Sequence, residues 1–214
     1  MPTGRMTSTD FAGVAMSWIA MSWVAMWGRG FIITCIVGAI AGLGNASARG
    51  QMIVYAMTGT VRSVSATELM ATTNGVDQTF SLGGKSHPSL NFDRDLRDDS
   101  TPAAEFHKSD AFAVIYYYGL ATDKTAVAVK DLGAGPFERA TGTVKHFDKH
   151  SRHLTITTET GQPEEFIVGD KAVIDTGMRV EPGRKADPPN GSHVFVTSVP
   201  GNGAQTVVYL RLQL

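Results

Sequence analysis

Three histidines, His146, His150 and His153, fall in one short stretch of this 214-residue chain, interleaved with Lys145, Lys149 and Arg152. Neutral imidazole nitrogens are good ligands for zinc and copper, so a hairpin that gathered the three rings on one face would make a metal site. The interleaved cations repel a divalent ion, and Asp148 is the one carboxylate beside them. A solvated turn is therefore the expectation, and a copper or zinc site at His146, His150 and His153 the alternative. Lys145, Lys149 and Arg152 could equally contact an anion or a glycan.

The second chemically expressive stretch is Tyr116-Tyr117-Tyr118, at the end of the run Ala111 to Tyr118. Strand alternation puts Phe112, Val114, Tyr116 and Tyr118 on one face and Ala113, Ile115 and Tyr117 on the other, which predicts at least one solvent-facing tyrosine. Exposed phenol rings stack on sugars or bases; the competing expectation is packing at the rim of a core or between domains. The acidic stretch Asn91 to Asp99 has the alternating carboxylates of a calcium loop. It has Leu96 where such a loop needs glycine and Pro102 where it needs glutamate, so it reads as a flexible acidic loop. Gly83-Gly84-Lys85-Ser86 resembles the end of a phosphate loop but has Thr79 in place of the first glycine and Pro88 where a helix should follow. No nucleophile elbow, zincin motif or paired-carboxylate spacing appears, so neither an enzyme nor a cofactor is expected.

These residues sit on repeated text. Thr58-Gly59-Thr60-Val61-Arg62 returns as Thr141-Gly142-Thr143-Val144-Lys145, and a period of about 80 residues suits a small domain that closes its own core. In the first copy the strand pattern runs through Met52 to Val64, Leu69 to Thr73 and Gln78 to Leu82, with Asn74-Gly75 as a hairpin turn. In the second it runs through Gly142 to Phe147, Leu154 to Thr158 and Glu165 to Val168, so that Leu69 answers to Leu154 and Phe80 to Phe166. A looser linking segment follows in each half, then two more strands, 111–118 with 125–130 and 192–197 with 205–212. Thr101-Pro102 is predicted to start a short helix in the first linking segment, while Pro188-Pro189-Asn190-Gly191 prevents one in the second. Three strands, a link and two strands is the order of an OB-type five-stranded barrel. The predicted fold is thus all-β, with tandem OB-like barrels over residues 49–136 and 137–214. Gly59 and Gly142 are expected to sit where a side chain would collide with a neighbouring strand.

The pattern Gly-Thr-Val, then Leu154-Thr155-Ile156-Thr157-Thr158, then Phe166-Ile167-Val168-Gly169-Asp170-Lys171 resembles a small OB-like domain of unknown function found, often in tandem, in exported bacterial proteins. The resemblance spans nearly the whole chain after residue 48 and is nearest in the second half. It implies export and a β-barrel and brings no catalytic residues.

Export is also written at the N-terminus. Arg29, the apolar run Phe31 to Leu43 and Ala46-Ser47-Ala48 have the order of a secretory signal, which predicts residues 1–48 as a signal peptide cleaved after Ala48. Ala15-Met16-Ser17-Trp18, Ala20-Met21-Ser22-Trp23 and Ala25-Met26-Trp27 are near copies, consistent with a start at Met26. The alternative is a membrane anchor through residues 11–44. Cys35, the single cysteine, leaves with the signal, which excludes disulfides and thiolate chemistry from the remainder. With 19 basic and 20 acidic side chains the chain is almost neutral, so no nucleic-acid partner is expected. The sequence predicts a periplasmic or extracellular, non-enzymatic binding module whose partner is an envelope glycan, peptide or protein. Membrane contact is expected only through an uncleaved N-terminus.

Overall fold

A computed structural model describes residues 51–83, 89–120 and 122–213; the predicted signal peptide and most of Gly83-Gly84-Lys85-Ser86 lie outside the described residues. In the first half, β1 (Met52–Ile53), β2 (Tyr55–Val64), β3 (Glu68–Thr73) and β4 (Val76–Leu82) come first. They are followed by β5 (Leu90–Asn91), α1 (Arg94–Asp98), β6 (Thr101–Pro102), β7 (Phe112–Tyr118) and β8 (Thr125–Asp131). The second half has β9 (Glu138–Asp148), β10 (His153–Thr158), β11 (Pro163–Asp175), β12 (Val180–Pro182), β13 (His193–Val199) and β14 (Gln205–Gln213). Among the described residues no helix is long and apolar enough to cross a membrane.

Both halves close in the same order. β4, β3, β2, β7 and β8 form one sheet that returns on itself through a parallel β4–β8 pairing, and β10, β9, β13, β14 and β11 form another, closed by β10 on β11. These are OB-like barrels, the first three strands a meander and the third pairing in parallel with the fifth. The turns obey local stereochemistry: Asn74 and Gly75 have φ of 51° and 77°, the two positive values a tight hairpin requires. Leu69 stands opposite Phe80, and Leu154 opposite Phe166, in matching registers. Each barrel has its own core, around Leu69, Phe80, Ile115 and Val129 in the first and Leu154, Ile156, Phe166 and Leu210 in the second.

Two expectations about the linking segments need correction. Thr101-Pro102 starts no α-helix; the pair lies extended along β8, followed by a single 3₁₀ turn at Ala103–Glu105. A residue before proline is pushed towards β geometry, and the strand pairing takes advantage of that. The second half has the same arrangement, β12 followed by a 3₁₀ turn at Gly183–Lys185. The acidic loop is also more ordered than expected. It forms α1, capped by the Asp93 carboxylate on the Asp95 amide at 2.9 Å, and its Leu96 is buried.

A third apolar cluster joins the halves: Val54, Ala56, Val114, Tyr116 and Ala128 from the first, Leu96 from α1, and Val173, Val180 and Tyr209 from the second. All described residues accordingly belong to one compact unit.

Gly59 and Gly142 are required by close strand approach. A Cβ on Gly59 would stand 2.8 Å from the Thr72 carbonyl oxygen, and one on Gly142 closer still to the Thr157 carbonyl oxygen. Backbone cannot yield as a flexible side-chain tip can. Gly142→Val is expected to lower stability by about 1–3 kcal/mol, read as a drop in the denaturation midpoint at unchanged m-value; an unshifted midpoint would refute the collision.

Candidate functional site

β3 pairs with β2 only from Thr60 onward, whereas β7 pairs with β2 from Tyr55. At Ala56, therefore, β2 has a strand on one side only. Its other edge is met by side chains of the second barrel: the Ala56 amide donates to Asp175 Oδ2 at 3.0 Å, and the Tyr209 hydroxyl donates to the Ala56 carbonyl at 2.7 Å. The second Asp175 oxygen accepts from the Gly177 amide at 2.8 Å. Asp175 is fully buried, and burial pushes its carboxyl above the usual range despite those two amides and the nearby positive charge of Arg211. Burial likewise raises the Tyr209 phenol, reinforced by Asp175.

The α1 arm secures the same seam. Asp93 accepts from Lys185 at 2.7 Å, Asp95 pairs with Arg184, and Asp99 pairs with Lys130 at 2.8 Å and Lys171 at 3.6 Å. Burial opposes ionisation of Asp99, but the hydrogen bonds and charges of Lys130 and Lys171 hold its pKa below the usual value. The carboxylates that suggested calcium are thus matched by lysine and arginine. Partly exposed ion pairs contribute about 0–1 kcal/mol each, so the buried Leu96, at about 1.5–3 kcal/mol, is the stronger anchor of this arm.

Beside the Ala56 contacts a cleft of about 470 Å³ opens at the seam, lined from the first barrel by Tyr55, Thr58 and Asn74 and from the second by Phe195, Arg211 and Gln213, among others. Tyr55 is backed by Tyr117, with ring centroids 5.8 Å apart, and Phe195 by Tyr209 at 6.5 Å. Asn74 is held at the rim by Arg139, whose guanidinium donates to its Oδ1 at 3.2 Å.

The residues singled out from sequence fall elsewhere. Tyr116 is buried in the seam, its ring 4.9 Å from Phe92, and its hydroxyl has no partner among the described residues. Tyr117 is buried in the first barrel against Phe80 at 5.5 Å. Neither presents a ring to solvent, and only Tyr118 is half-buried. The expectation of a solvent-facing stacking platform at Tyr116 and Tyr117 is corrected because β7 has a barrel core on one face and the seam on the other. Its unbroken apolar text is what a strand covered on both faces requires.

The histidine turn is spread out rather than gathered. His146 lies opposite Thr155, and His153 opposite Asp148, while His150 sits in the turn itself. Asp148 is occupied by the His150 amide at 2.9 Å and the Ser151 hydroxyl at 2.6 Å, which hold its pKa low. Arg152 pairs with Asp170 and Lys149 with Asp187, so those cations are turned to different partners, and Lys145 is exposed. Among the described residues no three histidine, cysteine, aspartate or glutamate side chains meet as a metal set, and His146, His150 and His153 do not converge.

No protein-family model matches the chain, and no curated protein matches it by sequence. Among solved structures, the chain is similar to Ag(I)CusF at 15% identity over 36% of this chain and 99% of that one, with a TM-score of 0.29. It is also similar to apo-CusF residues 6–88 from Escherichia coli at 14% identity over 39% and 95%, with a TM-score of 0.30.

Asp175, Tyr209, Arg211 and Phe195 were not singled out from the sequence. One signal was present: Ala172-Val173-Ile174-Asp175 places a carboxylate directly on a buried apolar run, where an ionisable group needs dedicated partners.

The raised pKa of Asp175 makes a signed expectation. The fold favours its protonated form, so its contribution is fully present below the unfolded value of about 3.9 and is lost as pH rises through the higher folded value. Asp175→Asn removes that titration. The unfolding free energy of the wild type minus that of Asp175→Asn should fall as pH increases from about 4 and then level off; a difference that grows with pH would refute it. Asp99, Asp131 and Asp148, whose pKa values are lowered, have the opposite slope and cancel in the difference.

Proposed function

We propose that this chain is an exported, non-enzymatic binding module of the cell envelope whose ligand enters the cleft between its two barrels. The observation that carries the proposal is the cleft itself, walled by both halves and placed against the Asp175, Ala56 and Tyr209 contacts that fix them together. Ligand sites favour such junctions, because a concave surface with rigid walls loses little entropy on binding. Asp175, the register partner of the cleft residue Arg211, has both oxygens engaged by backbone amides and is buried, which suits a structural group rather than a general base. Export rests on Arg29, the apolar run Phe31 to Leu43 and Ala46-Ser47-Ala48. The repeated Gly-Thr-Val text supports descent of the two barrels from one duplicated domain.

A fragment screen by amide-resolved NMR tests the cleft, using small aromatic and aliphatic acids, amines and monosaccharides as probes. Shift changes should concentrate on Tyr55, Thr58, Asn74, Phe195 and Arg211. Changes confined to the turn at His146 to His153, or none at the cleft with any probe, would overturn the proposal.

A further inference from the structure

Resting on the cleft as the binding site, we infer that its ligand carries a carboxylate joined directly or through a short link to an aromatic ring. Arg211 is the one charged residue among those lining the cleft, and it makes no ion pair among the described residues. Its side chain is exposed. A planar guanidinium recognises a carboxylate through two parallel N–H donors, which gives direction as well as charge.

Asp175 is the group that could defeat this inference, because its register partner on β14 is Arg211. Its carboxylate, however, is fully buried and spends its oxygens on the Ala56 and Gly177 amides. Burial also favours its neutral form, which lessens its repulsion of an incoming anion. The other titratable side chains at the cleft and its backing are the phenols of Tyr55, Tyr117 and Tyr209. Those of Tyr117 and Tyr209 are raised by burial and so remain uncharged. At the rim, Arg139 adds a second positive charge behind Asn74.

The ring half of the ligand follows from the walls. Tyr55 and Phe195 face the cleft from opposite barrels, and each is fixed from behind by another tyrosine, so an inserted ring meets aromatic surface that does not have to be ordered on binding. Asn74 and Gln213 supply amide groups for a polar substituent. A free aromatic acid and the carboxyl terminus of a peptide ending in an aromatic residue share this chemistry.

Titration of the full-length protein with phenylacetate and with phenylacetamide, followed by NMR, separates the anion requirement from the cleft itself. The tripeptide Gly-Gly-Phe and its C-terminal amide form the peptide arm. At least one acid should bind about tenfold tighter than its amide, with the preference shrinking as salt is raised. Arg211→Gln should erase the preference, while Arg211→Lys keeps part of it and reports that the fold is intact. Whichever acid binds more tightly identifies the source of the carboxylate. Acid and amide binding equally at the cleft would overturn the anion inference and leave the cleft standing; no probe reaching the cleft would overturn both. A preference that survives in Arg211→Gln would also overturn it.

Discussion

A single peptide group, that of Ala56, stands at the point where one barrel ends and the other begins. Its amide and carbonyl lie on an edge of β2 that β3 has not yet covered, and an unpaired backbone edge in a buried seam is costly. The second barrel supplies a carboxylate for the donor and a phenol for the acceptor. Both replacements come from strand positions whose neighbours are apolar: Val173 and Ile174 precede Asp175, and Tyr209 belongs to the joint cluster. Hydrogen-bond geometry sets the orientation there, and the apolar cluster around it supplies the driving force.

That orientation is what gives the cleft its shape. Tyr55 is next to Ala56 in sequence, and Arg211 is two residues beyond Tyr209, so the two walls are placed by the same contacts that join the halves. The α1 arm braces the arrangement from another element, Leu96 by burial and Asp93, Asp95 and Asp99 by charge. A loop that reads from sequence as a calcium candidate is, in the folded chain, a tether whose aspartates find lysine and arginine partners. The buried Asp175 carries an electrostatic cost that a purely apolar seam would avoid, and in return it satisfies two backbone amides at once.

Within each barrel the text was legible. Periodicity, the Asn74-Gly75 turn, the paired Leu69 with Phe80 and Leu154 with Phe166, and the repeated glycine are local signals, and the strand order that follows from them is the observed one. Between the barrels it was not. Alternation assumes one wet face per strand, and Tyr116 breaks that assumption because the neighbouring barrel covers it. The histidine turn drew attention through residue type, yet side-chain direction across a bulged hairpin decides whether rings converge, and spacing alone does not carry that information. Asp175 and Tyr209 meet Ala56 across separations of 119 and 153 residues, beyond any local pattern.

The central claim is that the contacts at Ala56 hold the two barrels in one fixed orientation. Residual dipolar couplings of backbone amides in weakly aligned medium measure this directly. Couplings from β2 to β8 and from β9 to β14 should fit a single alignment tensor. Two tensors of different orientation or magnitude, one for each barrel, would mean that the halves move independently, and the shared seam and its cleft would lose their basis.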